Sequence, residues 1–410
     1  MKIDVVVVGG GPSGMQAALS ASEEGSKVLL VERDTELGGI LNQCIHNGFG
    51  LHYFGEELTG PEYAFKLSKK VKSDKNITIL LETFVTKIEG KKIELKNKKG
   101  VFVAQAKAIV LASGCRERTA GAINLAGNRP SGIYTAGLAQ KMINHYGKVP
   151  GKSAVILGSG DIGLIMCRRL LFEGVEVKAV LELMPTSAGL ARNIQQCVKD
   201  FNVPLLFSHT ITRVVGEDKL EGVYFAKVDE NLKPILSTEK FIKCDTLLLS
   251  VGLVPENDLL EGQIQMDAKT KSAVVDENRQ TSAEGVFASG NVLHIHDLAD
   301  NATIEGGIAG KSAALFAKGK LKKSETKPVL AGEGVSYTIP QEVSVNPQPF
   351  KIYFRVRQAV RNKWILVKDA ETLVAKKFVQ AGNPGEMLEI EISANKIQTG
   401  LTVSIGEVKL

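Results

Sequence analysis

Cysteine is scarce in this 410-residue chain: there are five, Cys44, Cys115, Cys167, Cys197 and Cys244, and they stand at least 30 positions apart. That spacing excludes the close pairs of redox-active disulfides and of zinc sites built on local ligand pairs. The five read as separate reduced thiols of a cytosolic chain. Long apolar runs are missing too. None reaches the roughly 18 residues needed to cross a bilayer, and the apolar start "IDVVVVGG" has neither a basic leader nor a cleavage site. It reads as a buried strand of a cytoplasmic protein. Aromatic residues make up only 6%, with one Trp, and the net charge of +6 is small for the length. With no aromatic-flanked basic stripe, nucleic-acid binding has little support.

What is present is the composition of a soluble globular protein, 44% apolar and 23% charged, long enough for two or three domains. Glycine is placed with a pattern. "GGGPSG" (9 to 14) recurs as "GSGDIG" (158 to 163). Each turn follows an apolar strand ("IDVVVV", "SAVIL") and precedes a helix of small or apolar residues ("PSGMQAALSASEE", "DIGLIMCRRLLFE"). A second strand then follows ("KVLLVE", "VEVKAVLE"). Both are βαβ units.

In such a unit Gly9 or Gly158 makes the tight turn and Gly11 or Gly160 lets a pyrophosphate approach the backbone. Gly14 or Gly163 lets the helix pack closely on the strand. The helix start then offers unpaired N–H groups and the positive end of its dipole to the phosphates. Glu32 and Glu182 end the second strands, 18 and 19 residues past Gly14 and Gly163, where a carboxylate accepts both ribose hydroxyls. Two turns mean two dinucleotides. NAD is favoured over NADP, because a 2′-phosphate about 4 Å from Glu182 would cost on the order of 1 to 4 kcal/mol. Arg192 is the nearest cation that could fold back.

On these motifs the chain resembles the flavoprotein reductases with two dinucleotide-binding domains, which include thioredoxin reductase and glutathione reductase. "AIVLASGCRER" (108 to 118), "TLLLSVGLVPEND" (246 to 258) and "TSAEGVFASGN" (281 to 291) are similar to the family's crossover strands and late flavin segment. The resemblance implies FAD on the first motif and a nicotinamide nucleotide on the second. The implied FAD contacts are Gly9, Gly11, Pro12, Ser13, Gly14, Glu32, Arg33, Gly39, Val85, Ala112, Ser113, Gly114, Gly290, Asn291 and Thr303. For NAD they are Gly158, Gly160, Asp161, Ile162, Gly163, Glu182 and Gly252. Asn291 stands where the family usually has Asp, so it hydrogen-bonds without charge. After it, "DNATIEGGIAGKSAALFA" (300 to 317) predicts a helix capped by Asp300, Asn301 or Thr303. The resemblance points its N-terminus at the flavin pyrimidine edge, where the dipole favours the reduced ring's charge.

Disulfide reductases of this family pass electrons to a Cys pair, and no such pair occurs here. "GGILNQCIHNGFGLHYFGEELTGPEYA" (38 to 64) and "GNVLHIHDLAD" (290 to 300) resemble a narrower branch. Its members are encoded beside the gene for a type 2 glycerol-3-phosphate dehydrogenase or oxidase and that for a small cysteine-rich protein. Sarcosine and opine oxidase alpha subunits are distant relatives. This implies an electron-transfer role within a hetero-oligomer, with a partner dehydrogenase and that cysteine-rich electron-transfer protein. A stand-alone NADH oxidase or amine or amino-acid dehydrogenase, and a non-catalytic nucleotide-binding scaffold, remain alternatives.

Cys44 and His46 are the candidate catalytic residues: His46 as a proton or hydrogen-bond donor near the ring, Cys44 against it. A purely local role for both stays open. His294 and His296 alternate as on a strand, but no metal spacing accompanies them, and an edge of the flavin pocket or an interface is the reading. Arg116 and Arg118 flank Glu117 and receive an anion or form an ion pair. "KLSKKVKSDK" (66 to 75) reads as a solvated helix face.

The fold class expected is α/β, with two Rossmann-like three-layer domains and a small C-terminal β-sandwich. Residues 1–118 and 246–325 form the FAD domain and 119–245 the NAD domain. "AKGKLKKSETKPVLAGEG" (317 to 334) reads as a linker. In 332–410 the period changes to two: in "FKIYFRVR" Phe350, Ile352, Phe354 and Val356 alternate with Lys351, Tyr353, Arg355 and Arg357. "KWILVKDAETLVAKKFV", "LEIEI" and "LTVSIGEVKL" add strands. This module would dock a partner or a second copy, or serve only as a stabilising appendage.

Overall fold

The structure is a computed structural model that describes residues 2–321, 324–393 and 396–407. These form two compact units, one of 1–115 with 255–410, the other of 116–254.

The first unit is built on strand Lys2–Val8, which pairs in parallel with Val28–Val31 on one side and Gly100–Leu111 on the other. Its four consecutive valines are explained by burial on both faces. Val5 and Val7 face a core shared with helices Pro12–Glu23, Gly60–Ser73 and Ala299–Ala317, while Val6 and Val8 face a second core. Strand Gly100–Leu111 is long because it serves twice. Its second half is parallel to the first strand and to Val286–Ala288, and its first half turns antiparallel to Lys92–Asn97, which pairs with Phe84–Glu89. Helix Ala299–Ala317 lies hard against helix Pro12–Glu23. Any Cβ at Gly306 or Gly310 would overlap the carbonyls of Ser13 or Ala17.

The second unit repeats the plan. Five parallel strands run in the order Ile133–Thr135, Thr246–Leu249, Ser153–Leu157, Glu176–Glu182, Leu205–Phe207. Ala154 and Ile156 face the helical layer; Val155 and Leu157 face a three-stranded antiparallel sheet formed by His209–Val215, Gly222–Lys227 and Lys240–Lys243.

The C-terminal part of the first unit is a sandwich. A five-stranded sheet holds Thr326–Ala331, Glu342–Ser344, Val360–Asp369, Thr372–Gly382 and Leu401–Gly406, and a three-stranded sheet holds Val335–Ile339, Phe350–Val356 and Leu388–Ile392. Val335, Ile352, Phe354, Ile365, Val367 and Val403 meet in its core. The linker reading is corrected in part: strand Thr326–Ala331 lies inside it. Residues 322 and 323 of that stretch, and 408–410 of "LTVSIGEVKL", lie outside the described residues. Among the described residues no helix is long and apolar enough to cross a membrane.

Candidate dinucleotide sites and a buried carboxylate hub

At the first turn Gly9 takes φ +106° and donates its N–H to Val31 O at 2.8 Å. A Cβ at Gly9 would overlap Ala112 O, and one at Gly14 would overlap Gly9 O, so strand, turn and helix can close this tightly only with glycine. Gly11 differs: no atom lies within 4 Å of where its Cβ would be. Helix Pro12–Glu23 starts there, with Pro12 in its first turn and no side-chain cap, leaving first-turn N–H groups for a ligand. Glu32, buried, accepts the N–H of Gly10 at 2.6 Å and that of Asp34 at 2.8 Å.

The second turn is built the same way. Gly158 has φ +100° and donates to Leu181 O at 2.7 Å. Gly160 is open on its Cβ side apart from Ser250 Oγ at 3.9 Å. Glu182 accepts from Ser159 N at 2.8 Å, Ser159 Oγ at 2.6 Å and Met184 N at 2.9 Å. Open glycines at uncapped helix starts, each beside a buried carboxylate, fit dinucleotide pyrophosphates and riboses. Just past Glu182, Leu183, Met184 and Pro185 line an open cleft of 520 Å³ with Ser208, Val228, Asp229, Glu230 and Leu232.

The other implied contacts distribute as follows. Gly39 (φ +57°) brings its loop against Gly11, whose Cα is 3.2 Å from a Cβ built on Gly39. Ser113 Oγ donates to Glu256 O at 2.8 Å and Gly114 O accepts Glu256 N at 3.0 Å. Ala112 is buried, Val85 half-buried against the second core, and Arg33 exposed. Ser13 and Ser289 hydroxyls meet at 2.8 Å beside Gly290. Asp161 is held by Leu190 N at 2.8 Å and Asn193 Nδ2 at 2.6 Å, which draws the loop after Glu182 onto the turn; Ile162 is half-buried beside it. Gly252 O accepts Arg118 N at 3.0 Å, and Glu117 accepts Gly137 N at 2.7 Å, at the start of helix Ala136–Tyr146.

The cap expected on the late helix is corrected. Leu298 is its N-cap, with no side-chain bond. Asp300 instead accepts Gly50 N and His52 N, each at 3.2 Å, and Thr303 Oγ1 donates to Ala299 O and meets Tyr63 Oη at 2.8 Å. Cys44 is buried and its thiol donates to Ile40 O at 3.2 Å; burial pushes it up to about 12. His46 Nδ1 pairs with Asn47 O at 3.0 Å, its ring 5.0 Å from that of Phe49. All five cysteines are thiols rather than disulfides, and Cys167 and Cys197, distant in sequence, are buried in one core.

Sequence reasoning overlooked Glu305. It is fully buried, and four donors converge on its carboxylate: Arg279 Nε at 2.9 Å, His294 Nε2 at 3.2 Å, His296 Nε2 at 3.0 Å and Gly290 N at 2.8 Å. Residues 293–298 form a loop, not the strand that alternation suggested, so both imidazoles face one way, 4.2 Å apart. Their ligand atoms and those of Glu305 lie within 4.8 Å of one another, as a metal would require, but Arg279 already supplies the balancing charge. Burial alone would raise Glu305, yet His294, Arg279 and His296 hold it well below the usual carboxylate range. Burial and neighbouring His296 push His294 down to about 4. A lone Glu amid the small residues of "DNATIEGGIAG" was the available signal.

Comparison with known proteins agrees with this geometry. The pyridine nucleotide-disulphide oxidoreductase family profile matches residues 3–306. The HcnB component of hydrogen cyanide synthase from Pseudomonas protegens is 25% identical over 345 residues, 77% of this chain and 70% of that one. An opine oxidase component from Agrobacterium tumefaciens is 25% identical over 364 residues, 79% of this chain and 67% of that one. The crystal structure of Lactococcus lactis thioredoxin reductase superposes with a TM-score of 0.62 at 19% identity, covering 77% of this chain and 99% of that one, a likeness of fold. The chain belongs to the pyridine nucleotide-disulphide oxidoreductase family and is a flavin-dependent enzyme that uses FAD and NAD(P)H.

Proposed function

We propose that this chain is the electron-transfer component of a multi-subunit dehydrogenase. NADH and a partner protein that oxidises an organic substrate would exchange electrons through it. The observation that carries the reading is the pair of equivalent turns, each with an open glycine and a buried carboxylate. Bound FAD supplies the two-electron chemistry that links a hydride donor to the partner. The residues hold and orient: Gly11 and the helix amides after it receive the FAD pyrophosphate, Glu32 its ribose, and Gly160 and Glu182 do the same for the nicotinamide nucleotide. Asn291 stands at the ribityl chain, and His46 donates a proton or hydrogen bond while Cys44 stays a protonated thiol. Glu182, with Asp229 and Glu230 lining the cleft beyond it, opposes a 2′-phosphate, which supports NADH.

An external partner is favoured because the sequence offers no close Cys pair to carry electrons onward. The C-terminal module docks that partner, or a second copy, and a small cysteine-rich carrier completes the chain. Glycerol 3-phosphate is the substrate class implied by the sequence resemblance. Similarity to an opine oxidase component favours a second one, amino-acid-derived amines. The test is to isolate the native complex, identify the accompanying chain, and assay NAD⁺ reduction with glycerol 3-phosphate and with opines. Turnover that needs both chains is expected. If the single chain alone oxidises NADH to form peroxide as fast as the complex, the reading fails.

A further inference from the structure

The strand Phe350–Val356 has one buried face and a second that is covered at Tyr353 and Arg355. Ile352, Phe354 and Val356 fill the sandwich core, as a period of two predicts. The alternate residues do not all meet water. Tyr353 is 3% exposed and belongs to the core of the dinucleotide-binding sheet, its ring 5.9 Å from that of His294 and 5.8 Å from the Arg279 guanidinium. Arg355, two residues on, is bound on every side. Its Nε donates to Tyr337 Oη at 3.2 Å, one terminal nitrogen to Gly385 O, and the other to Ile295 O at 3.0 Å and to the Asp297 carboxylate. Asp297 in turn accepts Met387 N at 2.6 Å.

Loop 294–297 is thereby clamped from the sandwich side. Its other side is tied to the turn that the flavin reading uses. His296 N donates to Asn291 Oδ1 at 3.0 Å, and Glu305 holds His296 and the N–H of Gly290 with one oxygen. The route from Arg355 to Asn291 therefore runs through one loop of four residues, hydrogen-bonded to Arg355 at one end and to Asn291 at the other. The family match ends at residue 306, so Tyr353 and Arg355 lie outside it.

We propose that Arg355 and Tyr353 of the C-terminal sandwich are positioning residues for the flavin site, setting the Gly290–Asn291 turn through loop 294–297 and Glu305. This rests on the placing of FAD at that turn. The sandwich is then part of the cofactor site rather than an appendage. An Arg fork suits the task, since planar donors fix a carbonyl and a carboxylate together, which Lys cannot do.

The experiment compares wild type, Arg355→Ala and Asp297→Asn, with Lys376→Ala on the outer sheet as control. Hydrogen exchange of 290–298 in the apoprotein is measured first, then the FAD dissociation constant, visible spectrum and midpoint potential. Faster exchange confined to 290–298, at least tenfold weaker FAD binding and a shifted spectrum and potential are expected for Arg355→Ala. Asp297→Asn should shift the same way by less, with the control unchanged. Should Arg355→Ala fail to fold, Asp297→Asn decides alone. Wild-type exchange, affinity and potential in a folded variant overturn the proposal. Absence of FAD binding by wild type would instead overturn the flavin placement, and the apoprotein exchange would still report on the clamp.

Discussion

The carboxylate of Glu182 accepts the backbone N–H of Ser159 at 2.8 Å, so the acid that ends one strand is locked to the turn that ends its neighbour. One charge therefore stands fixed beside the open face of Gly160, with Asp229 and Glu230 in the cleft beyond. NADH should be used with a kcat/KM at least tenfold above that for NADPH, about 1.4 kcal/mol. Glu182→Gln should narrow that ratio even though both absolute rates fall with the loss of the turn's bonds. An unchanged ratio contradicts the assignment.

Glycines within one turn should separate by role. Gly160 has an ordinary φ of −67° and open space, so Gly160→Ala should leave the melting temperature within about a degree and weaken nicotinamide binding. At Gly163 a Cβ would lie 2.5 Å from Gly158 O and 2.9 Å from Ser250 Cβ. Gly163→Ala should cost about 1–3 kcal/mol of stability. Equal effects of the two on stability would contradict this division of roles.

Acid should loosen the Glu305 hub. His294 faces His296, Glu305, Arg279, Tyr337 and Tyr353, and stays neutral to about pH 4, whereas an unfolded imidazole protonates near 6.5. A lowered pKa means that its contribution is whole above 6.5 and is lost as pH falls toward 4. Roughly 2–4 kcal/mol is at stake. Urea midpoints of the apoprotein between pH 7 and 4 should drop more steeply for wild type than for His294→Gln. Parallel curves would remove His294 from the account.

Cys44 should be silent. With its thiol pushed up to about 12 and bonded to Ile40 O, the reactive thiolate is nearly absent at pH 8. Iodoacetamide should label Cys44 in denaturant but not in the native chain. Rapid native labelling would contradict the buried, protonated thiol.

Much of the architecture was legible from residues. The runs "IDVVVV" and "SAVIL", each with a glycine turn and a closing Glu, could only be buried parallel strands, and both carboxylates sit where the spacing put them. The late helix lost its predicted side-chain cap because Asp300 is drawn to Gly50 and His52, about 250 positions away. Glu305 was missed for a different reason: its partners are near in sequence, but they come together only once the segments at 279, 290, 294 and 296 have folded around it. Alternation in "FKIYFRVR" revealed two faces but not that the polar one is covered at Tyr353 and Arg355. The strand Thr326–Ala331 hid behind "SETKP". Pro328 is tolerated there because, among the described residues, its register partner is Glu342 on one side and the ladder to 401–403 begins at Val329.

The most direct test of the whole account is an anaerobic titration of the FAD-loaded protein with NADH, followed by the visible flavin absorbance. The account predicts bleaching complete at about one NADH per flavin, slower and weaker with NADPH, and recovery of the colour on adding a dye acceptor but not a small disulfide. A flavin that neither nicotinamide bleaches, or one reoxidised efficiently by the disulfide, would contradict it.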